Sequence, residues 1–257
     1  MDPTVAACQI EVTDLAPETN AATVIDRLAA LEDAVDIAVF PEYALTGFVA
    51  DERIESVALD LDGPVFDRVR AHARDTDTAV VAGCVEQRGE QYHNTLAYVA
   101  PDGSVTPYRK RHLWGGESAR LTPGDERVVV ETAAGRTGLL TCYDLNFVHE
   151  SAALLDAGVD ALFVPGAWPA THAANWRLLA RARALDGVRW VVAVGRTGRR
   201  DIDDARVSEY AGRSLIVRPD GVVAGELAHK PDTMVRTLDS DVLASQRALV
   251  DLPIDSQ

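Results

Sequence analysis

The stretch Ile37-Ala38-Val39-Phe40-Pro41-Glu42 holds four consecutive apolar residues and then breaks at a proline. A short apolar run bounded in this way is typical of a strand buried on both faces. The preceding segment Pro17–Ala34 repeats apolar residues at helical spacing, and Val65–Arg74 is predicted to be a second helix. The order helix, strand, helix predicts an α/β fold.

The same alternation continues along the chain. Further strands are predicted at Thr4–Ile10, Ala79–Glu86, Thr95–Ala100, Val105–Tyr108, Val128–Glu131, Thr137–Thr141, Ala161–Val164, Trp190–Val194, Ser214–Val217, Val222–Leu227 and Met234–Leu238, and further helices at Glu150–Ala157 and Ala173–Leu185. The turns Pro101-Asp102-Gly103 and Pro219-Asp220-Gly221 join strands as hairpins, so the sheets should be mixed. No linker interrupts the pattern, and we expect one domain over residues 1–257.

Composition narrows the classes of function. The 257 residues are 47% hydrophobic and 25% charged, and 40 Asp and Glu against 25 Lys and Arg give a formal net charge of −15. A surface this negative repels nucleic acid and anionic membranes, so neither is expected as a partner. No apolar run approaches the ~18 residues that span a bilayer. The N-terminus lacks a signal-peptide pattern, and three cysteines make no disulfide framework. We therefore expect a soluble, cytoplasmic protein.

Lysine is nearly absent from the chain. Lys110 and Lys230 are the only two lysines, against 23 arginines. Abundant Asp, Ala and Val with little Lys resembles the proteins of salt-loving organisms, in which carboxylates keep the surface hydrated and salt screens their repulsion. The alternative is a merely acidic protein from a GC-rich genome.

The halophile interpretation predicts that stability depends on salt. Most of the 40 carboxylates must lie on the surface, because isolated buried charges are too costly. The Debye length falls from about 30 Å at 0.01 M to about 3 Å at 1 M, so added salt removes repulsion across the molecule. A thermal scan should show the melting temperature rising by several degrees between 0.1 M and 2 M KCl. An unchanged or falling value would contradict the halophile interpretation.

Several common sites are missing from the sequence. It contains no G-x-S-x-G elbow, no G-x-x-x-x-G-K-[ST] loop and no G-x-G-x-x-G turn. His149-Glu150 begins like the H-E-x-x-H zinc helix, but position 153 is alanine. We therefore expect neither a metal ion nor a cofactor.

Three residues at the ends of separate predicted strands carry compatible chemistry: Glu42, Lys110 and Cys142. α/β proteins place their chemistry at such strand ends. The carboxylate can take the thiol proton, the thiolate can attack a carbonyl or nitrile carbon, and the ammonium can stabilise the thiolate and the developing oxyanion. Taken singly, they fit a solvated loop carboxylate, a basic surface patch and a small core residue. A chain that nearly avoids lysine has nevertheless kept one at position 110.

The other two cysteines, Cys8 and Cys84, lie inside predicted strands and fit the role of core residues. A nucleophilic Cys142 should differ from them in two ways. We expect a lowered pKa for its thiol and faster alkylation in the native protein.

The segments around the three residues resemble the carbon–nitrogen hydrolases of the nitrilase superfamily, and the resemblance covers nearly the whole chain. Phe40-Pro41-Glu42-Tyr43-Ala44-Leu45-Thr46-Gly47 is similar to the family's F-P-E-x-x-x-x-G, Tyr108-Arg109-Lys110-Arg111-His112-Leu113-Trp114 to Y-R-K-x-H-L-F, and Gly138-Leu139-Leu140-Thr141-Cys142-Tyr143-Asp144-Leu145 to G-x-x-I-C-Y-D-L. Further similar segments are Pro165-Gly166-Ala167-Trp168, Arg181-Ala182-Arg183-Ala184 and Gly212-Arg213-Ser214-Leu215-Ile216. Three motifs in this order are highly specific.

The resemblance implies a four-layer α-β-β-α sandwich with two mixed β-sheets, and a catalytic triad of Glu42, Lys110 and Cys142. It implies that Glu117 holds Lys110 and the leaving group of the substrate; the alternative for Glu117 is an ordinary loop carboxylate. It also implies that the backbone N–H of Tyr143 joins Lys110 at the oxyanion, and that Trp168 contacts the substrate.

The sequence departs from the family pattern after the cysteine. Where the family usually has C-Y-D-L-R-F-P-E, this chain has Cys142-Tyr143-Asp144-Leu145-Asn146-Phe147-Val148-His149. Asn146 thus takes the arginine's place and His149 the glutamate's. His149 either carries a positive charge near the pocket or is a packing residue. These changes leave the triad intact.

The implied reaction is hydrolysis of a small amide or N-carbamoyl compound through a cysteine thioester, with release of ammonia or an amine. One alternative is nitrile hydrolysis by the same triad. Another is a non-catalytic family member that acts as a binding subunit, which the presence of all three triad residues disfavours.

The resemblance also implies a homodimer or a higher homo-oligomer. The predicted helix Ala173–Leu185 carries Trp176, Leu178, Leu179 and Leu185, more apolar surface than one face needs to bury. The C-terminal stretch Leu249-Val250-Asp251-Leu252-Pro253-Ile254 is also apolar. Because an exposed apolar tail is unusual on so acidic a protein, we expect a partner subunit to cover it. The alternative is that the tail folds back on its own subunit.

Overall fold

Two six-stranded sheets, a short two-stranded ribbon and five α-helices make up the part of the chain that the computed structural model describes, residues 2–32 and 34–250. The strands are β1 Thr4–Gln9, β2 Ile37–Val39, β3 Ala79–Arg88, β4 Gln91–Val99, β5 Val105–Arg109, β6 Val129–Thr132, β7 Gly135–Leu139, β8 Ala161–Gly166, β9 Trp190–Gly195, β10 Arg199–Arg200, β11 Ser208–Glu209, β12 Leu215–Val217, β13 Val223–Glu226 and β14 Asp232–Thr237. The helices are α1 Pro17–Ala29, α2 Pro64–Thr76, α3 Val148–Asp156, α4 Ala173–Gly187 and α5 Ser240–Val250.

Each large sheet has three neighbouring parallel strands. The first sheet has the order β14-β1-β2-β3-β4-β5, with β1, β2 and β3 parallel and the remaining pairs antiparallel. The second has the order β13-β12-β9-β8-β7-β6, with β7, β8 and β9 parallel. The prediction of an α/β fold with two mixed sheets is confirmed.

Alternation of side chains along the strands builds the four layers. In β1, Val5 and Ala7 belong to the cluster shared with the second sheet, whereas Ala6 and Cys8 belong to the cluster shared with α1 and α2. This is the period-two pattern of a strand covered on both faces. Helices α3 and α4 pack together, and α4 lies on β9 and β12 of the second sheet. The order of layers is therefore helices, sheet, sheet, helices.

The carboxyl ends of the parallel strands meet at one rim. Glu42 follows β2 and Cys142 follows β7, while Lys110 comes directly after β5. A hydrogen bond of 2.7 Å runs from the backbone N–H of Ala167, directly after β8, to Oε2 of Glu42. The fold thus brings the three predicted strand-end residues to the place where the two sheets meet.

Several boundaries differ from the sequence prediction by a few residues, and the two largest differences have reasons in local geometry. Helix α1 ends at Ala29 rather than Ala34, because the chain turns so that Val35 enters the core before β2 begins. Strand β4 starts at Gln91 rather than Thr95, because its hairpin with β3 continues to a two-residue turn at Gly89, whose φ of +61° suits glycine.

The C-terminal helix α5 is absent from the sequence prediction. None of its residues is buried, and Val242 and Leu243 pack only partly against the core. Leu249 and Val250, the start of the predicted apolar tail, are exposed at its end; the remainder of that tail, 251–254, lies outside the described residues. Over residues 2–32 and 34–250, no helix combines the length and the apolarity needed to cross a membrane.

Candidate active site

Glu42 lies in a tight turn that follows β2. The next residue, Tyr43, has a φ of +59°, a left-handed conformation uncommon for a bulky residue. Glycine at position 83 lets β3 approach this turn, because a Cβ there would lie 2.5 Å from the backbone nitrogen of Tyr43 and 2.8 Å from Cα of Glu42. Glu42 is only 1% exposed, so it is not a solvated loop carboxylate.

Cys142 opens a 3₁₀ turn after β7 with a φ of +47°, which is again uncommon for a residue other than glycine. Asp144 fixes this turn. Its carboxylate accepts hydrogen bonds from the backbone N–H of Thr141 at 2.9 Å, the backbone N–H of His112 at 3.0 Å and the hydroxyl of Tyr108 at 2.7 Å. Burial raises the pKa of Asp144 to about 6, against the lowering effect of Lys110 and of these hydrogen bonds.

Lys110 is held between two buried carboxylates. Its Nζ lies 2.9 Å from Oε1 of Glu42, 3.0 Å from Oε1 of Glu117 and 2.9 Å from Oε2 of Glu117. Lys110 is 2% exposed and Glu117 is 4% exposed. Lys110 is therefore not part of a basic surface patch, and Glu117 is not an ordinary loop carboxylate.

Charge pairing decides the protonation of this cluster. Burial lowers the pKa of Lys110, but the charges of Glu117 and Glu42 together raise it by more than burial lowers it. The pKa of Lys110 therefore lies well above its ordinary value. Burial raises the pKa of Glu117, but the charge of Lys110 and hydrogen bonds from Tyr43 and Trp114 lower it to a net value below the ordinary one. Lys110 and Glu117 therefore stay ionised at neutral pH.

The pKa of the Cys142 thiol is raised, whereas the sequence pattern predicts a lowered pKa. Burial raises its pKa well above the ordinary value, the charge of Glu42 raises it further, and Lys110 lowers it only in part. The expected lowering of the thiol pKa is therefore wrong for the resting site. Because the thiol keeps its proton at neutral pH, a base has to remove it when it acts as a nucleophile.

Tyr143 and Trp168 both border this cluster. Tyr143 is the second residue of the 3₁₀ turn, so its backbone N–H has no acceptor within the turn. Trp168 is buried in the same apolar cluster as Cys142 and stacks at a tilt on Trp176, with 5.4 Å between ring centroids. Its indole N–H already donates to the carbonyl of His172 at 2.9 Å, which leaves the ring face for contact.

Two further side chains of the cluster are missing from the sequence prediction. Nδ2 of Asn94 donates to Oε1 of Glu42 at 2.7 Å and to Oε1 of Glu117 at 2.8 Å. The hydroxyl of Tyr43 donates to Oε1 of Glu117. Asn94 lies on the same face of β4 as Leu96, between the sheets, but the predicted strand begins only at Thr95 and so leaves Asn94 out.

The segment after Cys142 contains a buried glutamate, Glu150, one residue after the position at which the family pattern has its glutamate. Glu150 is fully buried and accepts from Arg111, from Nε2 of His112 at 2.8 Å and from Nε of Arg127 at 2.8 Å. The side chain of His149 is 57% exposed, with Nε2 3.2 Å from Oε1 of Glu150. The ring of His149 packs edge-on against the rings of His112 and Phe147, at 5.4 and 5.8 Å between centroids, and Glu150 is the buried carboxylate.

The family pattern has an arginine at the position of Asn146, but here the arginine that contacts the segment after Cys142 lies on α4. Asn146 is exposed, and its amide donates to the carbonyl of Tyr143 at 3.2 Å. The buried guanidinium on this segment belongs to Arg183 of α4, whose Nη2 donates to the carbonyl of Leu145 at 2.9 Å.

One group of side chains in the described residues has ligand atoms close enough to hold a metal ion. The ligand atoms of His112, His149 and Glu150 lie within 4.8 Å of one another. Glu150 already accepts from the guanidinium groups of Arg111 and Arg127, whose positive charges oppose a cation at this place. We therefore assign no metal to this group.

Comparisons with known proteins match the chain to one family. The carbon–nitrogen hydrolase family model matches residues 4–248. An (R)-stereoselective amidase from Pseudomonas sp. is 32% identical over 228 residues, which cover 89% of this chain and 82% of that protein. Sequence and family model thus point to proteins that cleave carbon–nitrogen bonds.

Solved structures share the whole fold. A CN-hydrolase superfamily protein from Xanthomonas campestris with an arsenic adduct in its active site has a TM-score of 0.89 and 27% identity, covering 100% of this chain and 98% of that one. A mutant of the amidase from Nesterenkonia sp. AN1, with acrylamide added at its active site cysteine, has a TM-score of 0.84 and 26% identity, covering 97% of this chain and 98% of that one. The chain therefore belongs to the carbon–nitrogen hydrolase family of the nitrilase superfamily.

Proposed function

We propose that this protein hydrolyses small linear amides through a thioester on Cys142. The observation that carries the proposal is the ammonium of Lys110, held between the buried carboxylates of Glu42 and Glu117 at the rim where the turn of Cys142 lies. This cluster combines a nucleophile, a base and an electrophilic group. An amide is favoured over an N-carbamoyl compound or a nitrile because the named relatives of known activity are amidases.

In the acylation half, Glu42 takes the proton of the Cys142 thiol as the sulfur attacks the amide carbonyl carbon. The resulting oxyanion is stabilised by the ammonium of Lys110 and the backbone N–H of Tyr143. The tetrahedral intermediate collapses when Glu42, now protonated, gives its proton to the nitrogen. Ammonia leaves, and the acyl group remains on the sulfur.

In the deacylation half, water takes the place of ammonia. Glu42 removes a proton from this water, which attacks the thioester carbon and forms a second oxyanion at the same donors. The carbon–sulfur bond breaks, the sulfur regains the proton, and the carboxylic acid leaves. The net reaction consumes one amide and one water and yields one acid and one ammonia. Glu117 holds Lys110 in place throughout, and the ring of Trp168 contacts the acyl group.

Ammonia release from a matched panel tests the proposal. The panel contains an aliphatic amide such as butyramide, the corresponding nitrile and an N-carbamoyl amino acid, assayed at high salt with Cys142→Ala as the control. We expect ammonia from the amide with the native chain only. Ammonia from the nitrile alone, or from the carbamoyl compound alone, would mean that this compound class and not amides is the substrate. No ammonia from any of the three would favour a non-catalytic binding subunit.

We also propose that the protein forms a homodimer through α4. Leu178 and Leu185, seven residues apart on one face of this helix, are 63% and 54% exposed, while Trp176 is fully buried in the subunit's own core. Exposed Val222 lies on the adjoining turn, next to Gly221, where a Cβ would lie 3.5 Å from Cβ of Leu185. Apolar side chains of this size on an acidic surface are typical of a subunit contact.

Light scattering at high salt should give about twice the chain mass of 27.7 kDa. Leu178→Glu should shift the mass toward that of the monomer, because it places charges on both sides of a two-fold contact. Val207→Glu is the matched control: this residue is also exposed and apolar but belongs to the loop before β11 and not to α4. A clean monomer of the native chain that still hydrolyses substrate would contradict the dimer.

A further inference from the structure

Asn94 on β4 connects the two carboxylates of the site. Its side chain is fully buried, and its single amide nitrogen donates one hydrogen to Oε1 of Glu42 at 2.7 Å and the other to Oε1 of Glu117 at 2.8 Å. Both donors of the amide group are therefore used by the two carboxylates of the cluster.

The same two oxygens are also the acceptors of Lys110. Nζ lies 2.9 Å from Oε1 of Glu42 and 3.0 Å from Oε1 of Glu117. The ammonium and the amide thus form two parallel bridges between carboxylates that would otherwise repel each other. One bridge carries a charge, and the other, through Asn94, is neutral.

The Lys110 bridge and the Asn94 bridge have different roles in the proposed reaction. Nζ of Lys110 has three contacts of 3.0 Å or less, all with oxygens of Glu42 and Glu117, so a substrate oxyanion has to share the ammonium with these two carboxylates. The amide of Asn94 faces no such competition. It can therefore hold the carboxylates of Glu42 and Glu117 in their positions while the ammonium turns toward the oxyanion.

The orientation of this amide follows from the charges around it. If the side chain were flipped, Oδ1 would face acceptor oxygens of Glu42 and Glu117 instead of donating hydrogens to them, which is electrostatically unfavourable. In the observed orientation Oδ1 is buried and has no hydrogen-bond partner in the described part of the chain.

We propose that Asn94 is the positioning residue that holds the base Glu42 in place while Lys110 serves the oxyanion. The proposal rests on the proposed amide hydrolysis, because it assigns a role within that reaction. Among the described residues, the side chain of Asn94 donates to Glu42 and Glu117, so it acts on the substrate only through these two carboxylates.

The test replaces Asn94 by leucine, which keeps the approximate shape and removes both donors. Thr95→Val is the matched control, since Thr95 is the next residue of β4, is equally buried and donates at 2.7 Å to Glu86 on the opposite face of the sheet. Asn94→Ser, a smaller change, is the second variant if Asn94→Leu does not fold. For each variant kcat, KM, the melting temperature and the pH profile of kcat are measured on the amide used for the native chain.

We expect Asn94→Leu to lower kcat by roughly 10- to 100-fold with little change in KM, as for other losses of alignment at a reacting group. Loss of a hydrogen-bond donor raises the pKa of a carboxylate. The acid limb of the kcat profile should therefore move to higher pH, a shift that a purely structural role would not produce. Asn94→Ser should show a smaller change in the same direction, and Thr95→Val should keep both kcat and the acid limb.

Wild-type kcat and an unchanged acid limb in Asn94→Leu would overturn the proposal, as would an equal loss in Thr95→Val. A second readout separates this inference from the proposed function. The pH dependence of iodoacetamide alkylation at Cys142 depends on Glu42 as the neighbouring base and needs no turnover. If the native chain releases no ammonia, a shift of this profile in Asn94→Leu still supports positioning, and an unshifted profile overturns it.

Discussion

Replacement of Cys142 by alanine should lower amide turnover by about 10³-fold or more, a loss on the scale seen when a hydrolase loses its covalent nucleophile. The reason is that the acyl group has no other acceptor in the proposed mechanism: the remaining groups can polarise a carbonyl but cannot form the thioester. The measurement is ammonia release under saturating amide, with a circular dichroism spectrum to verify the fold.

The matched control for this variant is Cys84→Ala. Cys84 is also a buried cysteine, but it lies inside β3 in the cluster shared with α1 and α2. Its loss removes the same atoms from a core and should change stability without changing kcat. Similar turnover losses in both variants would mean that the effect comes from packing, and the nucleophile assignment would be wrong.

Glu42→Gln and Lys110→Arg should each stay folded and lose turnover by ~10²–10⁴-fold, the usual range for removal of a general base. Glu42 accepts hydrogen bonds from Lys110, Asn94 and the backbone N–H of Ala167. Glutamine keeps the shape but cannot take the thiol proton. Arginine keeps the charge of Lys110, but its planar guanidinium does not reproduce a compact ammonium between two carboxylates.

Two substitutions of the same type control for these changes. Lys230→Arg alters the only other lysine, which is exposed, and Glu126→Gln alters an exposed glutamate. Both should keep the native rate. The melting temperature of each variant separates loss of chemistry from loss of fold. A Glu42→Gln or Lys110→Arg variant with more than half of the native turnover would remove that residue from the site.

The sequence is informative where the chemistry depends on local pattern. Apolar runs that end at Pro41 and Thr141 predict strands, and the ends of parallel strands meet at one edge, so Glu42 and Cys142 are expected to come together. Lys110 is marked by the scarcity of lysine, a signal independent of any motif. The structure brings Glu117 into the same cluster, as the resemblance implies.

What the sequence does not show depends on three-dimensional packing. Asn94 precedes its predicted strand, because the length of the β3–β4 hairpin depends on pairing between strands. Glu150 rather than His149 is buried, since the orientation of α3 and not a residue count decides which side chain turns inward. The raised pKa of the Cys142 thiol reflects burial, which a sequence motif does not report.

Peptide mapping after brief treatment of the native protein with iodoacetamide tests the role of Cys142 most directly. All three cysteines are free, and Cys142 is 7% exposed whereas Cys8 and Cys84 are fully buried. Cys142 should be alkylated first, turnover should fall in step with its modification, and excess amide should protect it. If Cys142 is instead the least modified cysteine, or if turnover persists after Cys142 is fully alkylated, the thioester mechanism is wrong.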